Sequence, residues 1–205
     1  MLTVAVTGAT GAQGGATARA LLAAGHRVRA LTRRTDSPAA DALRGLGAEV
    51  CRADFDDRPS LEAALAGADS LFAVTTPFGA GAGTGTEVRQ GESLVDAAAE
   101  VHVGHVVYTS AAHADRDTGV PHYESKRAVE RHLRAAGVPW TVIGPAAFMD
   151  NFATGWTLDG PTTAGLDVDA AGLRRDHPDV GWHSFTDWAA AQDWPALLVG
   201  KPARH

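Results

Sequence analysis

The chain has 205 residues, of which 45% are hydrophobic and 20% are charged, and its formal net charge is −6. This length and composition indicate one globular domain, and the negative charge argues against direct nucleic-acid binding. A single cysteine, Cys51, excludes an intrachain disulfide and a cysteine metal cage, and no other metal-ligand spacing or hydrolase serine motif is present. The sequence shows no leader and no apolar run of membrane-spanning length, so we expect a cytoplasmic protein.

The first predicted element is a short apolar strand, Thr3 to Val6, that runs into three glycines and then an alanine-rich helix from about Ala12 to Ala24. Strand, glycine turn and helix in this order are typical of a dinucleotide-binding turn. Gly8 permits the tight turn, Gly11 lets the backbone approach a pyrophosphate, and Gly14 lets the helix pack close to the strand. The free N–H groups of the helix would then face the phosphates. The alternative is an ordinary glycine-rich turn.

The second strand, from His26 to Thr32, is followed by residues that bear on the type of nucleotide. NAD-binding folds commonly place an acidic residue about twenty positions after the glycines, where it holds the ribose 2′-hydroxyl. Here Arg33 and Arg34 occupy that place, and the first carboxylate is that of Asp36. Because a guanidinium pairs with a 2′-phosphate, we predict that NADP(H) is preferred over NAD(H). The alternative is a pair of solvated surface arginines.

The third strand, from Ala48 to Ala53, is followed directly by four residues with candidate roles. Asp54 and Phe55 fall where a loop would border an adenine ring, although Asp54 is equally compatible with a structural role. For Asp56 and Asp57 we favour capping of the helix that follows.

The fourth strand, from Ser70 to Thr75, leads through Thr76 and Pro77 into a loop with glycines at positions 79, 81, 83 and 85. We expect the next helix only from about Glu87 to Glu100, so this loop lacks the helix directly behind it that a phosphate cradle needs. The loop is therefore predicted to be a mobile flap over the cofactor.

Strands and helices continue to alternate, with a fifth strand from His105 to Ser110 and a sixth from Trp140 to Ile143. This alternation predicts an α/β fold with a doubly wound parallel sheet, which is a Rossmann fold. The carboxyl ends of parallel strands meet at one edge of the sheet, where such folds bind their ligands. That edge would gather five residues from the ends of the first five strands: Gly8, Arg33, Asp54, Thr75 and Ser110.

Five segments carry a specific resemblance to a known family: Val6–Gly11, His105–Ser110, His122–Lys126, Gly137–Ile143 and Phe148–Phe152. In these segments, and in their order and spacing over residues 1–152, the chain resembles the NmrA-like family of atypical short-chain dehydrogenase/reductase relatives. The resemblance implies a Rossmann fold, NADP(H) binding, and a cofactor or catalytic role for Lys126, which lies in the helix predicted from His122 to Ala136. One departure is Gly144, where many relatives carry arginine before the proline.

The candidate catalytic residues lie mainly on the helix predicted from His122 to Ala136. Short-chain reductases use a tyrosine four residues before a lysine, whereas here Tyr123 precedes Lys126 by three positions and His122 precedes it by four. Both spacings place side chains on neighbouring positions of one helix. We predict that Lys126 contacts ribose hydroxyls or a developing oxyanion, and that His122 donates a proton with Tyr123 beside it. Ser110 is predicted to hydrogen-bond substrate or nicotinamide.

These catalytic assignments have a structural alternative, in which the histidine and the lysine are solvated, the tyrosine is half-buried and the serine merely ends a strand. The predicted cofactor contacts come from the glycine turn, the strand ends, the helix and the proline after the sixth strand: Gly8, Thr10, Gly11, Gln13, Gly14, Arg33, Arg34, Asp54, Phe55, Thr75, Thr76, Pro77, Lys126 and Pro145.

Residues 153–205 are predicted to form a shortened, irregular C-terminal segment on the substrate side, packed on the Rossmann domain of residues 1–152. Trp182, Trp188 and Trp194 either plug an open edge of the domain or form a substrate or partner surface. The substrate pocket would then be open, loose, or completed by another subunit, as in a homodimer.

The leading interpretation is an NADPH-dependent reductase that passes hydride to a small electron-poor acceptor, such as a quinone or a conjugated carbonyl. A quinone suits the missing tyrosine at the usual spacing, because its reduction needs less acid assistance than that of a plain ketone. One alternative is a non-enzymatic NADP(H) sensor that acts through a regulatory protein partner. Another is a shortened chain that binds the cofactor weakly or not at all.

Overall fold

The computed structural model describes residues 1–78, 81–146, 148, 169–181 and 184–192 of the chain. The chain divides into two compact units, Met1–Gly144 and Pro145–His205. The predicted boundary at residue 152 lies outside the described residues.

Strands and helices alternate through the whole first unit. Its strands are β1 (Thr3–Val6), β2 (Arg27–Thr32), β3 (Glu49–Arg52), β4 (Ser70–Val74), β5 (His105–Thr109) and β6 (Trp140–Ile143). Its helices are α1 (Ala12–Ala23), α2 (Pro38–Gly45), α3 (Arg58–Leu65), α4 (Thr84–Glu100) and α5 (Pro121–Ala135). The strand bounds agree with the predicted ones to within one residue.

The six strands form one parallel sheet in the order β3-β2-β1-β4-β5-β6. This is the strand order of a dinucleotide-binding Rossmann fold, in which the order of strands along the sheet reverses between β1 and β4. The predicted α/β fold with a doubly wound parallel sheet is therefore confirmed. Because all six strands run the same way, the residues predicted to meet at their carboxyl ends lie along a single edge: Gly8, Arg33, Asp54, Thr75 and Ser110.

The sheet is buried on both faces, as β1 shows most simply. Ala5 belongs to one apolar cluster, and its neighbours Val4 and Val6 belong to a second. Successive side chains of a strand point to opposite faces, so the two clusters cover the two sides of the sheet. The first cluster includes Leu61 of α3 and Leu94 of α4, whereas the helical members of the second come from α1 and α2.

Helices α4 and α5 approach each other closely at a glycine. A Cβ on Gly91 of α4 would lie 2.5 Å from a methyl group of Val129 on α5, so only glycine permits this separation. One turn earlier on each helix, the same contact surface carries Glu87 and Lys126, both of which are buried. The close packing of apolar residues therefore brings two charged side chains together.

The second unit contains two described helices, Ala170–Asp176 and Phe185–Ala190. Each is capped by a side chain: Asp169 accepts from the N–H of Gly172 at 2.7 Å, and Ser184 accepts from that of Asp187 at 3.0 Å. Trp188 is half-buried, whereas Trp182 and Trp194 lie outside the described residues. No helix within the described ranges is both long enough and apolar enough to cross a membrane.

Candidate nucleotide site

The turn between β1 and α1 has the geometry of a diphosphate-binding turn. Gly8 has a φ of +59°, which side chains rarely permit. A Cβ on Gly14 would lie 2.4 Å from the carbonyl oxygen of Gly8 and 2.5 Å from that of Thr7, so this glycine lets α1 pack directly on the turn. Thr10 and Gly11 are exposed, and no side chain caps α1. The amide groups of the first helical turn are therefore free to meet an anion.

Side-chain hydrogen bonds connect the elements next to this turn. Nε2 of Gln13 donates to Oγ1 of Thr109 at 2.8 Å, which joins the start of α1 to the end of β5. The buried Thr7 hydroxyl accepts from the N–H of Val74 at 2.7 Å and donates to its carbonyl oxygen at 3.1 Å. Sequence reasoning predicted Gln13 as a cofactor contact, whereas its amide group is bound to the protein in this structure.

At the end of β2, Arg33 and Arg34 are both exposed. Neither side chain forms an ion pair with a residue in the described part of the chain. The backbone N–H of Arg34 donates to Oγ1 of Thr32 at 3.2 Å. Two uncompensated guanidinium groups at the edge where the strands end suit a ligand that carries a phosphate beyond its diphosphate. The turn fits the diphosphate of a nucleotide, and the two arginines lie at the same edge of the sheet.

Residues 54–57, which follow β3 after Ala53, have different roles from one another. Asp57 caps α3 by accepting from the N–H of Ser60, as predicted. The capping prediction for Asp56 is wrong, because its carboxylate accepts from Nε2 of Gln90 on α4 at 2.9 Å. Asp54 accepts from the N–H of Asp56 at 3.1 Å, which closes a local turn, and Phe55 packs against the larger apolar cluster. This hydrogen bond supports a structural role for Asp54.

The segment after β4 begins with a buried threonine and then reaches the surface. Thr75 is 5% exposed, Thr76 is exposed, and Pro77 is partly buried. The hydroxyl of Thr76 accepts from the N–H of Phe78 at 3.2 Å, which closes a local turn. The prediction that no helix stands directly behind the glycine loop is wrong: α4 begins at Thr84, immediately after Gly83.

Lys126 lies at the centre of a buried polar network between β4, β5, α4 and α5. Its Nζ donates to the carbonyl oxygen of Thr75 at 2.7 Å and to that of Thr109 at 3.4 Å. The same Nζ forms an ion pair with Oε1 of Glu87 at 2.9 Å. The alternative of a solvated lysine is therefore wrong, and the ammonium group already has protein acceptors at the ends of two neighbouring strands.

Glu87 is fully buried and joins the rest of this network. Its Oε1 accepts from the hydroxyl of Thr75 at 2.9 Å, and its Oε2 accepts from the hydroxyl of Ser125 at 2.5 Å. The Thr75 hydroxyl lies 3.0 Å from the phenol oxygen of Tyr108, whose ring has Nζ of Lys126 at 5.3 Å from its centre. We name this set of five side chains the lysine network: Thr75, Glu87, Tyr108, Ser125 and Lys126.

Burial shifts the titration of two members of the lysine network. It lowers the pKa of Lys126 below the usual lysine value, and the nearby carboxylate of Glu87 opposes that shift. Burial raises the pKa of the Tyr108 phenol well above its ordinary value, to which the negative charges of Glu87 and Glu130 add. Tyr108 is therefore a neutral hydrogen-bonding group at physiological pH.

Ser110 follows β5 and uses its hydroxyl within the protein. It donates to Oε1 of the buried Glu130 on α5, whose other oxygen accepts from Arg134 at 2.7 Å. The hydroxyl proton is thus committed to Glu130, and only the lone pairs of Ser110 are left for a ligand.

His122 and Tyr123 form an aromatic cluster with Phe78 beside the lysine network. The His122 ring lies edge-on to the Tyr123 ring at 4.5 Å between centres and 5.8 Å from the Phe78 ring. Burial lowers the pKa of His122, and the positive charge of Lys126 adds to that effect, while Glu87 opposes it. The imidazole is therefore predominantly neutral at neutral pH, which weakens it as a proton donor.

A strained residue lies in the loop after β5. His113 has a φ of 64°, and its Nε2 is buried with no hydrogen-bond partner among the described residues. Sequence reasoning did not single out this histidine. Backbone strain of this kind concentrates at ligand sites.

Two further predictions concern the proline after the sixth strand and metal ions. Pro145, predicted to contact the cofactor, belongs to the second unit. No group of three or more potential metal ligands is found in the parts of the chain that the structure describes.

The family follows from a comparison of the whole sequence with known families. The model of the NmrA-like family matches residues 2–165. The chain belongs to the NmrA-like family. An NmrA-like family domain-containing oxidoreductase, FrzB of a Cladobotryum species, is 37% identical over 159 residues, which are 73% of this chain and 47% of that protein. The chain spans about half the length of the curated relatives it matches.

Three of the solved structures to which this chain is similar are complexes with a nicotinamide nucleotide. The triphenylmethane reductase of a Citrobacter species, complexed with NADP(H), is 29% identical with a TM-score of 0.65, over 73% of this chain and 51% of that one. The NADPH-dependent quinone oxidoreductase of Escherichia coli, complexed with NADPH, is 25% identical with a TM-score of 0.64, over 76% and 53%. NmrA, a negative transcriptional regulator, is 28% identical in its complex with NADP, with a TM-score of 0.62, over 73% and 47%.

Proposed function

We propose that this NmrA-like chain binds NADP(H) at the carboxyl edge of its sheet and reduces a small electron-poor acceptor. The observation that carries the proposal is the β1–α1 turn, where a Cβ on Gly14 would collide with two backbone oxygens and the first helical amides are uncapped. These amides would hold the diphosphate, and the exposed Arg33 and Arg34 would hold the 2′-phosphate. The similarity to NADP(H)-bound reductases supports the same assignment.

The other strand ends are proposed to bind the nicotinamide half of the cofactor. The longest contact of Lys126, to the carbonyl oxygen of Thr109 at 3.4 Å, is the one that a ribose hydroxyl would replace with the least loss. When bound, the reduced nicotinamide supplies a hydride. This chain's own residues would orient the ring, exclude water and present the acceptor.

The aromatic cluster favours a flat acceptor with low demand for acid. His122, Tyr123 and Phe78 offer ring edges and faces next to the lysine network. His122 is predominantly neutral and the Ser110 proton is committed to Glu130, so neither of these two residues is a strong proton donor. A quinone or a conjugated carbonyl requires less proton donation than a simple ketone, so this chemistry fits the site best.

The proposed activity is tested by following NADPH oxidation with a panel of quinones, conjugated carbonyls and simple ketones. We expect turnover with the first two classes and none with simple ketones. A panel in which no electron-poor acceptor consumes NADPH, with cofactor binding intact, would contradict the reductase.

The cofactor preference is tested with an Arg33→Ala variant. We expect wild-type protein to bind NADPH more tightly than NADH, and the variant to lose about tenfold in NADPH affinity while its NADH affinity is unchanged, because one charge-assisted phosphate contact is removed. Arg27→Ala is the matched control, since Arg27 is exposed at the opposite end of β2. Equal affinities of the wild-type protein for the two cofactors would contradict the NADP(H) assignment.

A second candidate function is an NADP(H) sensor that acts through a protein partner. Two observations favour it: the Lys126 donors are occupied by protein acceptors, and the transcriptional regulator NmrA is similar to this chain. It predicts partner binding that differs between NADP and NADPH without turnover of any acceptor.

A further inference from the structure

We propose that Glu87 is a positioning residue that keeps Lys126 protonated and aimed at the ends of β4 and β5, where the nicotinamide ribose binds. This inference rests on the proposed function for the cofactor, but its structural half is independent of it. Glu87 belongs to none of the motifs that led to the site.

Burial of the lysine carries a free-energy cost. Lys126 is only 9% exposed, and a buried ammonium without a counter-ion favours its neutral form. A neutral amine would no longer make charge-assisted hydrogen bonds to the carbonyl oxygens of Thr75 and Thr109. A counter-ion within hydrogen-bond distance removes this problem, and Oε1 of Glu87 lies 2.9 Å from Nζ.

The Glu87 carboxylate is itself held rigidly. The Thr75 and Ser125 hydroxyls donate to its two oxygens, and Gly91 lets α4 approach α5 closely enough for these bonds. Both carboxylate oxygens therefore have hydrogen-bond donors, as a buried ionised group requires. A group fixed in this way can hold Nζ in one place rather than merely neutralise it.

The other ionisable groups around Lys126 cannot replace Glu87 as its counter-ion. Tyr108 presents its ring to Nζ, and its raised pKa keeps it neutral. His122, on the same helix, adds positive charge when it is protonated. Glu130, one turn further along α5, is engaged by Ser110 and Arg134. Glu87 is therefore the counter-ion of Lys126 among the residues that the structure describes.

The test uses Glu87→Gln, which keeps the shape of the side chain, removes its charge and replaces one acceptor oxygen by an NH2 donor. The matched control is Glu92→Gln on the same helix, because Glu92 forms no ion pair with a described residue. Both variants and the wild-type protein are compared in NADPH affinity and in free energy of unfolding from neutral pH to about pH 10.

The stability readout follows from the direction of the lysine shift. The folded protein holds the pKa of Lys126 below the usual value of 10.5, so between those two values the unfolded chain binds more protons and stability rises with pH. Without Glu87 the pKa of Lys126 in the folded protein would be lower still, so the rise in stability would begin at a lower pH. We expect Glu87→Gln to be least stable relative to wild type at neutral pH and to approach it as the pH rises. A deficit that is the same at every pH would overturn the ion-pair role.

The binding readout tests the positioning role. We expect the NADPH affinity of Glu87→Gln to fall with rising pH at a lower midpoint than in the wild-type protein, with a loss of about tenfold relative to wild type at mildly alkaline pH. An unchanged pH profile in a variant that binds NADPH would overturn the inference and leave the proposed function intact. If the wild-type protein did not bind NADPH, the proposed function would fail, while the stability readout would still decide the ion pair.

Discussion

Replacement of Gly14 by alanine is expected to abolish NADPH binding and to lower the free energy of unfolding by about 1–3 kcal/mol. The added Cβ would meet the carbonyl oxygens of Gly8 and Thr7 at 2.4 and 2.5 Å, and backbone atoms cannot rotate away as a flexible side chain does. The helix must therefore move off the turn, which displaces the amide groups proposed to hold the diphosphate. Equilibrium denaturation and NADPH titration measure the two effects separately.

The matched control for this prediction is Gly45→Ala. Gly45 is the last residue of α2, its φ lies outside the left-handed region, and a Cβ there would have nothing within 4 Å. The same chemical change should leave stability and NADPH affinity unchanged or raise stability slightly, because alanine favours helix. If Gly14→Ala behaved like this control, close packing of α1 on the turn would not be what the cofactor site depends on.

The second large effect is expected for Lys126→Met, which should lower the free energy of unfolding by about 3–5 kcal/mol. Methionine preserves much of the apolar stem but leaves the fully buried Glu87 carboxylate without its counter-ion. The remaining donors, the hydroxyls of Thr75 and Ser125, do not neutralise its charge. Urea denaturation at neutral pH measures the loss.

The double variant Glu87→Gln/Lys126→Met separates the lost ion pair from lost packing. With both charges removed, the amide oxygen can accept from one of the two hydroxyls, Thr75 or Ser125, while its NH2 group donates to the other, so we expect most of the lost stability to return. No recovery in the double variant would show that the lysine stabilises the fold through its contacts with the strand ends rather than through Glu87.

The sheet was predictable from the sequence because each strand is a short apolar run bounded by polar or glycine residues. The order of strands and helices leaves few topologies, and right-handed crossovers reduce these further. The roles of the turn glycines could also be predicted, because each has a separate steric purpose: Gly8, Gly11 and Gly14. The start of α4 was misplaced because Thr84 and Gly85 form helix here despite low intrinsic preference for it.

The lysine network was not predictable from spacing alone. Lys126 was expected to face solvent or cofactor, but its position depends on the approach of α4 to α5 at Gly91, a tertiary contact. A signal was nevertheless present: Glu87 precedes Gly91 by four positions and Leu94 by seven, so it lies on the buried stripe of α4. A carboxylate on an apolar stripe needs a partner, and that need would have directed attention to a lysine on a neighbouring helix.

Asp56 and Ser110 show the same limit at single residues. Asp56 was assigned to capping from its place before α3, whereas its partner Gln90 is 34 residues away in the chain. Ser110 was assigned to the ligand from its place at a strand end, whereas its proton goes to Glu130 on α5. Local sequence identifies a residue's opportunities for hydrogen bonding, and packing of distant elements decides which of them is used.

The central claim is that the uncapped start of α1 holds the diphosphate of a nicotinamide nucleotide. The most direct measurement is a crystal structure of the full chain with NADP. We expect the diphosphate to lie against the amide groups that follow Gly11, with the 2′-phosphate within reach of Arg33 or Arg34. A cofactor bound elsewhere, or a turn that is closed to the nucleotide at saturating concentration, would contradict it.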